Sequence, residues 1–276
     1  MDIQNCHIDS FDGTSLFCRF YKHPFPRGAV LIVHGEGDHS GRYDHVAEHL
    51  VASGFYCVSY DQRCHGQSSS NYHHLYEELK ADLGSMVAYC ESLAERVPIF
   101  LLGQGAGAAL VAAKAASFGL SGRVRGAILS AAYRQRGIGG LKKEVFGVFS
   151  RVASSLDLAA KRDFPHLSRD PLVAESAAKD PLYHKENISF KAKMQLARRS
   201  LGEGRRIGQM KIPALILHGT CDKISSFKES ETIYERIQSP DKTFLTYDGY
   251  YHEILNEYGK EIVLRDITDW LLERSQ

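Results

Sequence analysis

The chain has 276 residues, of which 34 are Lys or Arg and 33 are Asp or Glu, giving a formal net charge of +1. This length suits one large α/β domain with room for an insertion. The balanced charge, without a block of like charge, argues against nucleic acid as a partner and favours a small neutral one.

Short apolar runs alternate with helix-length segments along most of the chain. The sequence predicts strands at Ile3–Ile8, Ser15–Tyr21, Ala29–Val33, Phe55–Tyr60, Ile99–Leu102, Gly126–Ser130, Ala214–Leu217 and Thr243–Tyr247. It predicts helices at Tyr43–Ser53, Leu75–Arg96, Ala106–Phe118, Ser226–Ile237 and Glu253–Glu273. Strands separated by helices pair in parallel with right-handed crossovers, and the first two strands are expected to form an antiparallel hairpin at one sheet edge.

The interval between Ser130 and Lys211 lacks a clear core strand. It contains charged, helix-compatible stretches separated by the turns DFPHLSRDPL and KDPLYHKEN. We interpret residues 131–205 as a helical cap inserted after the central strands. Residues 1–130 and 206–276 are then the two parts of one α/β core.

The stretch LLGQGAGAAL, residues 101–110, predicts a strand, a glycine-rich turn and a helix of small residues. It matches the nucleophile elbow G-x-S-x-G of hydrolases, except that Gly105 stands where the serine is expected. We expect Gly103 and Gly107 to fit a tight turn, and Gly105 to adopt a positive φ without strain. Taken alone, the stretch could also be a helix-packing turn or part of a dinucleotide-binding loop, although Ala108 breaks the G-x-G-x-x-G pattern.

A second glycine-rich turn, His34–Gly37, follows the strand Ala29–Val33. This HGxG sequence is typical of the loop that supplies one N–H group to an oxyanion hole. We predict that the backbone N–H groups of Glu36 and Ala106 are the two donors. An ordinary glycine-rich turn is the alternative for this motif alone.

The turn after the next strand, DQRCHGQSS, places Asp61, His65 and Ser68 close together. We interpret it as a structural hydrogen-bonded loop rather than a catalytic one. Cys221, which adjoins Asp222, is expected to be a buried, inert thiol.

Asp222 and His252 follow two later strands, in the runs ALILHGTCDKI and DGYYHEILNE. The chain order is then nucleophile position, acid and histidine, which is the order of the triad in α/β-hydrolases. Either residue alone would usually be an ordinary surface residue, but the four motifs together predict a hydrolase site.

These runs, with HGEGDHSGRY, LSRDPLV and KDPLYH, resemble the monoacylglycerol lipase and lysophospholipase-like branch of the α/β-hydrolases, grouped with the serine aminopeptidase S33 type. The resemblance spans roughly residues 8–272. It implies an α/β-hydrolase fold, a mostly parallel sheet flanked by helices, with the cap acting as a lid.

The resemblance also implies residue roles. Asp222 would be the triad acid, His252 the general base, Glu36 and Ala106 the oxyanion donors, and position 105 the nucleophile. The lid would cover an acyl channel, for which the candidate lining residues, equally compatible with an ordinary helix core, are Phe146, Phe149, Leu156, Leu158 and Leu182.

Three residues depart from the family pattern: Gly105, Glu36, and Cys64 in place of the glycine of an Arg-Gly-His-Gly run. Without the serine oxygen no acyl-enzyme forms, and in another triad hydrolase the loss of this serine costs about 10⁶ in turnover. Gly105 is either a substitution introduced into an active enzyme or a natural loss, and the intact neighbouring motifs favour the former.

The leading hypothesis is therefore a carboxylic ester hydrolase for acylglycerols or similar lipid esters, inactive with Gly105. The alternatives are a lipid- or ester-binding protein without turnover, and an S33-type aminopeptidase that uses acidic cap residues such as Glu175 and Glu186 to bind a substrate ammonium group. A transient contact of the cap with a membrane surface is compatible with the first of these.

The six cysteines are scattered without a CxxC pair or a Cys/His cluster. We therefore expect free thiols, no disulfide, and neither a metal nor a cofactor. The first residues contain neither a basic nor an apolar leader segment, so we expect a cytoplasmic chain.

Overall fold

The computed structural model describes residues 3–69, 76–94, 96–117, 120–132, 163–184 and 206–275. Eight strands form one sheet in the order β1-β2-β4-β3-β5-β6-β7-β8. They are β1 Ile3–Asp9, β2 Ser15–Tyr21, β3 Gly28–Val33, β4 Phe55–Tyr60, β5 Ile99–Gln104, β6 Val124–Ser130, β7 Ala214–Gly219 and β8 Lys242–Tyr247. The pairs β1–β2 and β2–β4 are antiparallel and the rest are parallel. The predicted α/β-hydrolase fold and its edge hairpin are confirmed.

Helices cover both faces of this sheet. They are α1 Asp44–Ala52, α2 Tyr76–Leu93, α3 Ala106–Ala115, α4 Pro171–Lys179, α5 Phe227–Arg236 and α6 Lys260–Arg274. Side chains of α2, α3 and α5 belong to one buried cluster, and those of α1 and α6 belong to another.

The central strands are buried along their whole length, as expected for parallel strands with helices on both sides. Alternate residues point to opposite faces, so Leu31 and Val33 join the first cluster while Val30 and Ile32 join the second. The sheet therefore forms the floor between two cores, and it fixes where each strand ends.

The last helix begins later than predicted. A short 3₁₀ turn at Ile254–Asn256 precedes Gly259, whose φ of 79° starts α6 at Lys260. The buried carboxylate of Glu257 accepts backbone hydrogen bonds from Arg169, Tyr251 and Tyr258, which holds this stretch out of the helix. The prediction of one helix over Glu253–Glu273 was wrong because these tertiary contacts outweigh the local helical pattern.

Most of the predicted cap, residues 133–162 and 185–205, lies outside the described residues. The described part contains a 3₁₀ turn at Phe164–His166 and helix α4, which Asp170 caps by accepting a hydrogen bond from the Leu172 N–H. Within the described residues, no helix has the length and apolar character needed to cross a membrane.

Candidate functional site

The turn after β5 has the backbone of a nucleophile elbow. Gly105 lies between β5 and α3 with φ 56° and ψ −115°. This region is open to glycine and costly for any residue with a Cβ, and such strain is typical of functional turns. The positive φ predicted at this position is confirmed.

The two flanking glycines are required by close backbone contacts. A Cβ on Gly103 would lie 2.5 Å from the Ala108 Cα, and one on Gly107 would lie 2.3 Å from the carbonyl oxygens of Val33 and His34. These distances are far below van der Waals contact. Because Gly107 has no side chain, the start of α3 can pack directly against the end of β3.

The predicted oxyanion loop lies beside this elbow. A Cβ on Gly35 would be 3.4 Å from the Gln104 carbonyl oxygen. The loop is held by His34, whose Nδ1 lies 2.7 Å from the Gly35 carbonyl oxygen and whose Nε2 accepts a hydrogen bond from the Gln62 N–H at 2.9 Å. Burial lowers the pKa of His34, so the ring stays neutral and can both donate and accept.

The two predicted oxyanion donors are adjacent to these contacts. Glu36 is half-buried and directly follows Gly35, and Ala106 is the first residue of α3. The N–H groups in the first turn of a helix have no partner within the helix, and they carry its partial positive charge. The carboxyl end of β3 and the amino end of α3 are therefore adjacent, as an oxyanion hole formed by Glu36 and Ala106 would require.

The predicted acid contacts the predicted base directly. Asp222 follows β7, and its Oδ2 lies 2.8 Å from Nδ1 of His252. Its Oδ1 accepts hydrogen bonds from the backbone N–H groups of Ile224 and Ser225, each at 2.8 Å. This geometry orients the imidazole with Nδ1 toward the carboxylate and Nε2 away from it.

Two further side chains surround the carboxylate. His218 is fully buried with Nε2 3.3 Å from Asp222 Oδ2, and Ser225 donates its hydroxyl to the same oxygen. Burial alone would raise the pKa of Asp222, but the hydrogen bonds from His218, His252 and Ser225 outweigh it and hold the pKa well below its usual range. The acid is therefore ionised at neutral pH.

A buried glutamine connects the elbow to the histidine loop. The side-chain amide of Gln104 donates to the His252 carbonyl oxygen at 3.0 Å and accepts from the Ser130 hydroxyl at 2.6 Å. The Gly105 N–H also donates to the Ser130 carbonyl oxygen at 2.8 Å. Gln104, which directly precedes Gly105, therefore holds the elbow next to His252.

Sequence reasoning missed Gln104, Ser225 and His218. The variable position of an elbow motif carries no signal for a buried amide. The turn at Ser225 could have been anticipated, since an aspartate side chain often accepts hydrogen bonds from the backbone that follows it. His218 lies four residues before Asp222, but at the end of a strand this spacing does not by itself predict contact.

The loop after β4 is structural, as predicted. The Asp61 carboxylate accepts hydrogen bonds from the Ser40 and Gln67 N–H groups, each at 2.7 Å, and Ser68 donates to the Asp61 carbonyl oxygen. Cys64 has φ 65° in this loop. That conformation favours glycine, which is the residue that the resemblance led us to expect at position 64.

The described part of the cap is hydrogen-bonded to both site loops. The His184 N–H donates to the Gly37 carbonyl oxygen at 2.8 Å, and the Glu253 N–H donates to the Leu167 carbonyl oxygen at 2.7 Å. His39 Nε2 lies 2.8 Å from Asp180 Oδ2. The segment 163–184 therefore lies over the oxyanion loop and the histidine loop.

Only some of the remaining candidate residues lie within the described part of the chain. Leu182 is half-buried in this segment, whereas Phe146, Phe149, Leu156 and Leu158 lie outside the described residues. Cys221 is exposed, so the expectation of a buried thiol was wrong; the turn after β7 turns it outward while it turns Asp222 inward. Glu175 is exposed and pairs with Lys179 on α4, and Glu186 lies outside the described residues.

The assembled groups can perform proton transfer and anion stabilisation. An ionised Asp222 keeps the proton on Nδ1 of His252, which leaves Nε2 as the basic nitrogen. The elbow presents no hydroxyl for that nitrogen to activate, because residue 105 is glycine.

Comparison with known proteins agrees with this geometry. A family model described as serine aminopeptidase, S33, matches residues 24–259. A monoacylglycerol lipase from Mycolicibacterium smegmatis is 30% identical over 255 residues, covering 90% of this chain and 89% of that protein. The human monoglyceride lipase is 27% identical over 281 residues, which cover 98% of this chain and 90% of the human protein. The crystal structure of the Paleococcus ferrophilus monoacylglycerol lipase superposes with a TM-score of 0.78 at 28% identity, covering 94% of this chain and 99% of that one.

Proposed function

Because the chain belongs to the serine aminopeptidase S33 family of α/β-hydrolases, we propose that it is a lipid ester hydrolase scaffold that lacks its nucleophile. Its substrates would be monoacylglycerols or similar acyl esters. Relatives that carry the name monoacylglycerol or monoglyceride lipase and match nearly the whole chain support this substrate class.

The observation that carries the proposal is the Asp222–His252 pair beside an elbow that ends in Gly105. With serine at position 105, His252 would accept the hydroxyl proton as the oxygen attacks the ester carbonyl. The N–H groups of Glu36 and Ala106 would stabilise the oxyanion, and His252 would then protonate the leaving alcohol. Water would release the acyl group by the same steps in reverse.

With glycine at position 105 the first step has no nucleophile. A water molecule activated by His252 is a poor substitute, because a well-oriented tethered nucleophile gains about 7 to 11 kcal/mol over a free one. The chain as it stands would then bind substrate without forming an acyl-enzyme. We place the cap, including the segment 163–184, over the acyl group.

The substitution Gly105→Ser tests the proposal. The variant is expected to react covalently with a fluorophosphonate probe and to hydrolyse a monoacylglycerol, while the unchanged chain does neither. Gly105→Ala is the matched control, since it adds a Cβ and the same backbone strain without the oxygen. A Gly105→Ser variant that keeps its circular dichroism spectrum and melting transition but takes no label would overturn the proposal.

A lipid-binding protein without turnover is the second candidate, and the glycine at position 105, which offers no hydroxyl, favours it for the unchanged chain. It predicts a saturable rise in melting temperature with monoacylglycerol and no product release. No shift with any acylglycerol or lysophospholipid tested would contradict it. The aminopeptidase alternative gains no support from Glu175, which is already paired with Lys179 on an exposed helix face.

A further inference from the structure

A large groove lies at the amino ends of the parallel strands, on the side of the sheet opposite to the candidate site. Its lining includes Pro98 just before β5, Val124 at the start of β6 and Pro213 just before β7. Its volume is about 1470 Å³. Gly105 and Asp222, in contrast, follow the carboxyl ends of their strands, so the groove and the site are separate.

Among the described residues, the charged side chains that line this groove are all positive. None of the twenty described lining residues is Asp or Glu, and the six basic ones are Arg27, Arg96, Arg123, Arg125, Lys211 and Arg274. The chain as a whole carries a net charge of only +1. The described lining therefore carries an excess of positive charge, part of which is balanced by Asp241 and Glu273 at Arg274.

Two of the six cations are occupied within the protein. Arg274 forms a two-point ion pair with Asp241, with nitrogen–oxygen distances of 2.7 and 2.8 Å. Arg123 donates to the carbonyl oxygens of Glu91 and Val97 at 2.8 and 2.9 Å, and to that of Ala94. Arg123 thus fixes the turn that joins α2 to β5.

The other four cations are available to a ligand. Arg27, Arg96, Arg125 and Lys211 are all exposed. Among the residues that the structure describes, no carboxylate forms an ion pair with any of them. Positive charges that have no carboxylate partner in the described part of the chain repel one another across a concave surface, and a multivalent anion would relieve that repulsion.

The backbone of Arg96 has a left-handed conformation. Its φ of 69° is one of three positive values among described non-glycine residues. A left-handed residue shortly after a helix is a common way to end that helix, and α2 ends at Leu93. The bonds of Arg123 to the carbonyl groups of Ala94 and Val97, on either side of it, hold Arg96 in this conformation at the groove edge.

The chemistry of the lining indicates the ligand class. Guanidinium groups match phosphate oxygens in two-point hydrogen bonds, and the side-chain amides of Gln209 and Gln238 are neutral donors at the same surface. The volume exceeds the range of about 300 to 1000 Å³ that is typical of a compact small-molecule site. We propose that this groove binds a soluble, extended oligophosphate, and that it does so independently of the site at Gly105. A flat bilayer could not follow its concave wall.

Isothermal titration calorimetry of the full chain with sodium tripolyphosphate tests this proposal. We expect saturable binding that weakens with added salt and is much tighter than binding of orthophosphate. The double variant Arg96→Gln/Arg125→Gln should weaken it at least about tenfold and reduce its salt dependence, since each lost phosphate contact lowers the salt slope by about one.

The matched control is Lys22→Gln/Arg265→Gln, which removes two exposed positive charges outside the groove. It should keep the tripolyphosphate affinity within about twofold, and both double variants should keep the melting temperature of the unchanged chain. Equal weakening in the two variants would overturn the proposal, as would the absence of saturable binding. Binding only to phosphatidylglycerol vesicles, with none to tripolyphosphate, would also overturn it.

Discussion

The sequence predicted the site at the carboxyl ends of the parallel strands, but it did not predict the groove at their amino ends. At the carboxyl ends, each chemical group sits in a short contiguous motif, such as GQGAG around Gly105 or HGTCD around Asp222. At the amino ends, the six cations of the groove come from five separate segments between residues 27 and 274. Local motifs reveal the first kind of site, whereas folding alone assembles the second.

The largest expected effect is at the carboxyl ends. In a Gly105→Ser background, Asp222→Asn should lower kcat by about 10⁴, as the same change does in another Ser-His-Asp hydrolase, because the imidazole loses its correct tautomer. Steady-state hydrolysis of a monoacylglycerol measures this. Asp248→Asn, an exposed aspartate after β8, is the control and should leave kcat unchanged. If Asp222→Asn lowers kcat only slightly, Asp222 is not the catalytic acid.

Two glycine substitutions, one at each end of the parallel strands, are expected to differ in their effect on stability. Gly103→Ala, at the elbow, should destabilise the fold by about 3 kcal/mol, because its Cβ would overlap the backbone of α3. Gly122→Ala, at the amino end of β6, has no atom within 4 Å of the new Cβ and should change stability by less than about 0.5 kcal/mol. Urea unfolding measures both. Similar costs at the two glycines would mean that the elbow is not specially tight.

Asp222 should also contribute stability that depends on pH. Its pKa is lower in the folded chain than in the unfolded chain, so its contribution is present above the unfolded pKa of about 3.9 and is lost as the pH falls toward the folded value. We expect Asp222→Asn to cost about 2 kcal/mol at pH 7 and progressively less below pH 4. Unfolding curves at pH 3 to 7 measure this. A cost that is the same at every pH would contradict the depressed pKa.

At the amino ends of the strands, two neighbouring arginines are expected to differ in how much they contribute to stability. Arg123→Ala should cost about 1.5 kcal/mol of stability, because three backbone carbonyl groups, one in the last turn of α2 and two after it, lose a charged donor. Arg125→Ala removes an exposed side chain two residues later, in β6, and should cost almost nothing. Thermal unfolding of the two variants gives the comparison. Equal costs would show that Arg123 is as dispensable to the fold as its neighbour.

The smallest effect concerns the loop after β4. Cys64→Gly should be more stable than Cys64→Ala by about 1 kcal/mol, since only glycine adopts φ 65° without steric cost. Comparing these two variants with each other removes the contribution of the thiol. Denaturant unfolding provides the measurement. The reverse order would mean that the backbone of this loop relaxes when the cysteine is lost.

The sequence was informative where a local physical rule applies. Apolar runs set the strands to within two residues at either end, and glycine spacing identified the turn at Gly105. It failed where distant contacts decide the outcome: Glu257 delays the last helix through backbone bonds to Arg169, and Ser225 and Gln104 join the site through bonds to Asp222 and His252. Net charge is a sum over the whole chain, so it does not indicate the local cluster of cations in the groove.

The carboxylate of Asp222 joins the turns after β7 and β8 from a fully buried position. Removing one partner of such a pair leaves the other desolvated and alone, which proteins tolerate poorly. The Asp222–His252 pair therefore serves the fold as well as any chemistry, and it would be needed for stability whatever residue stands at position 105.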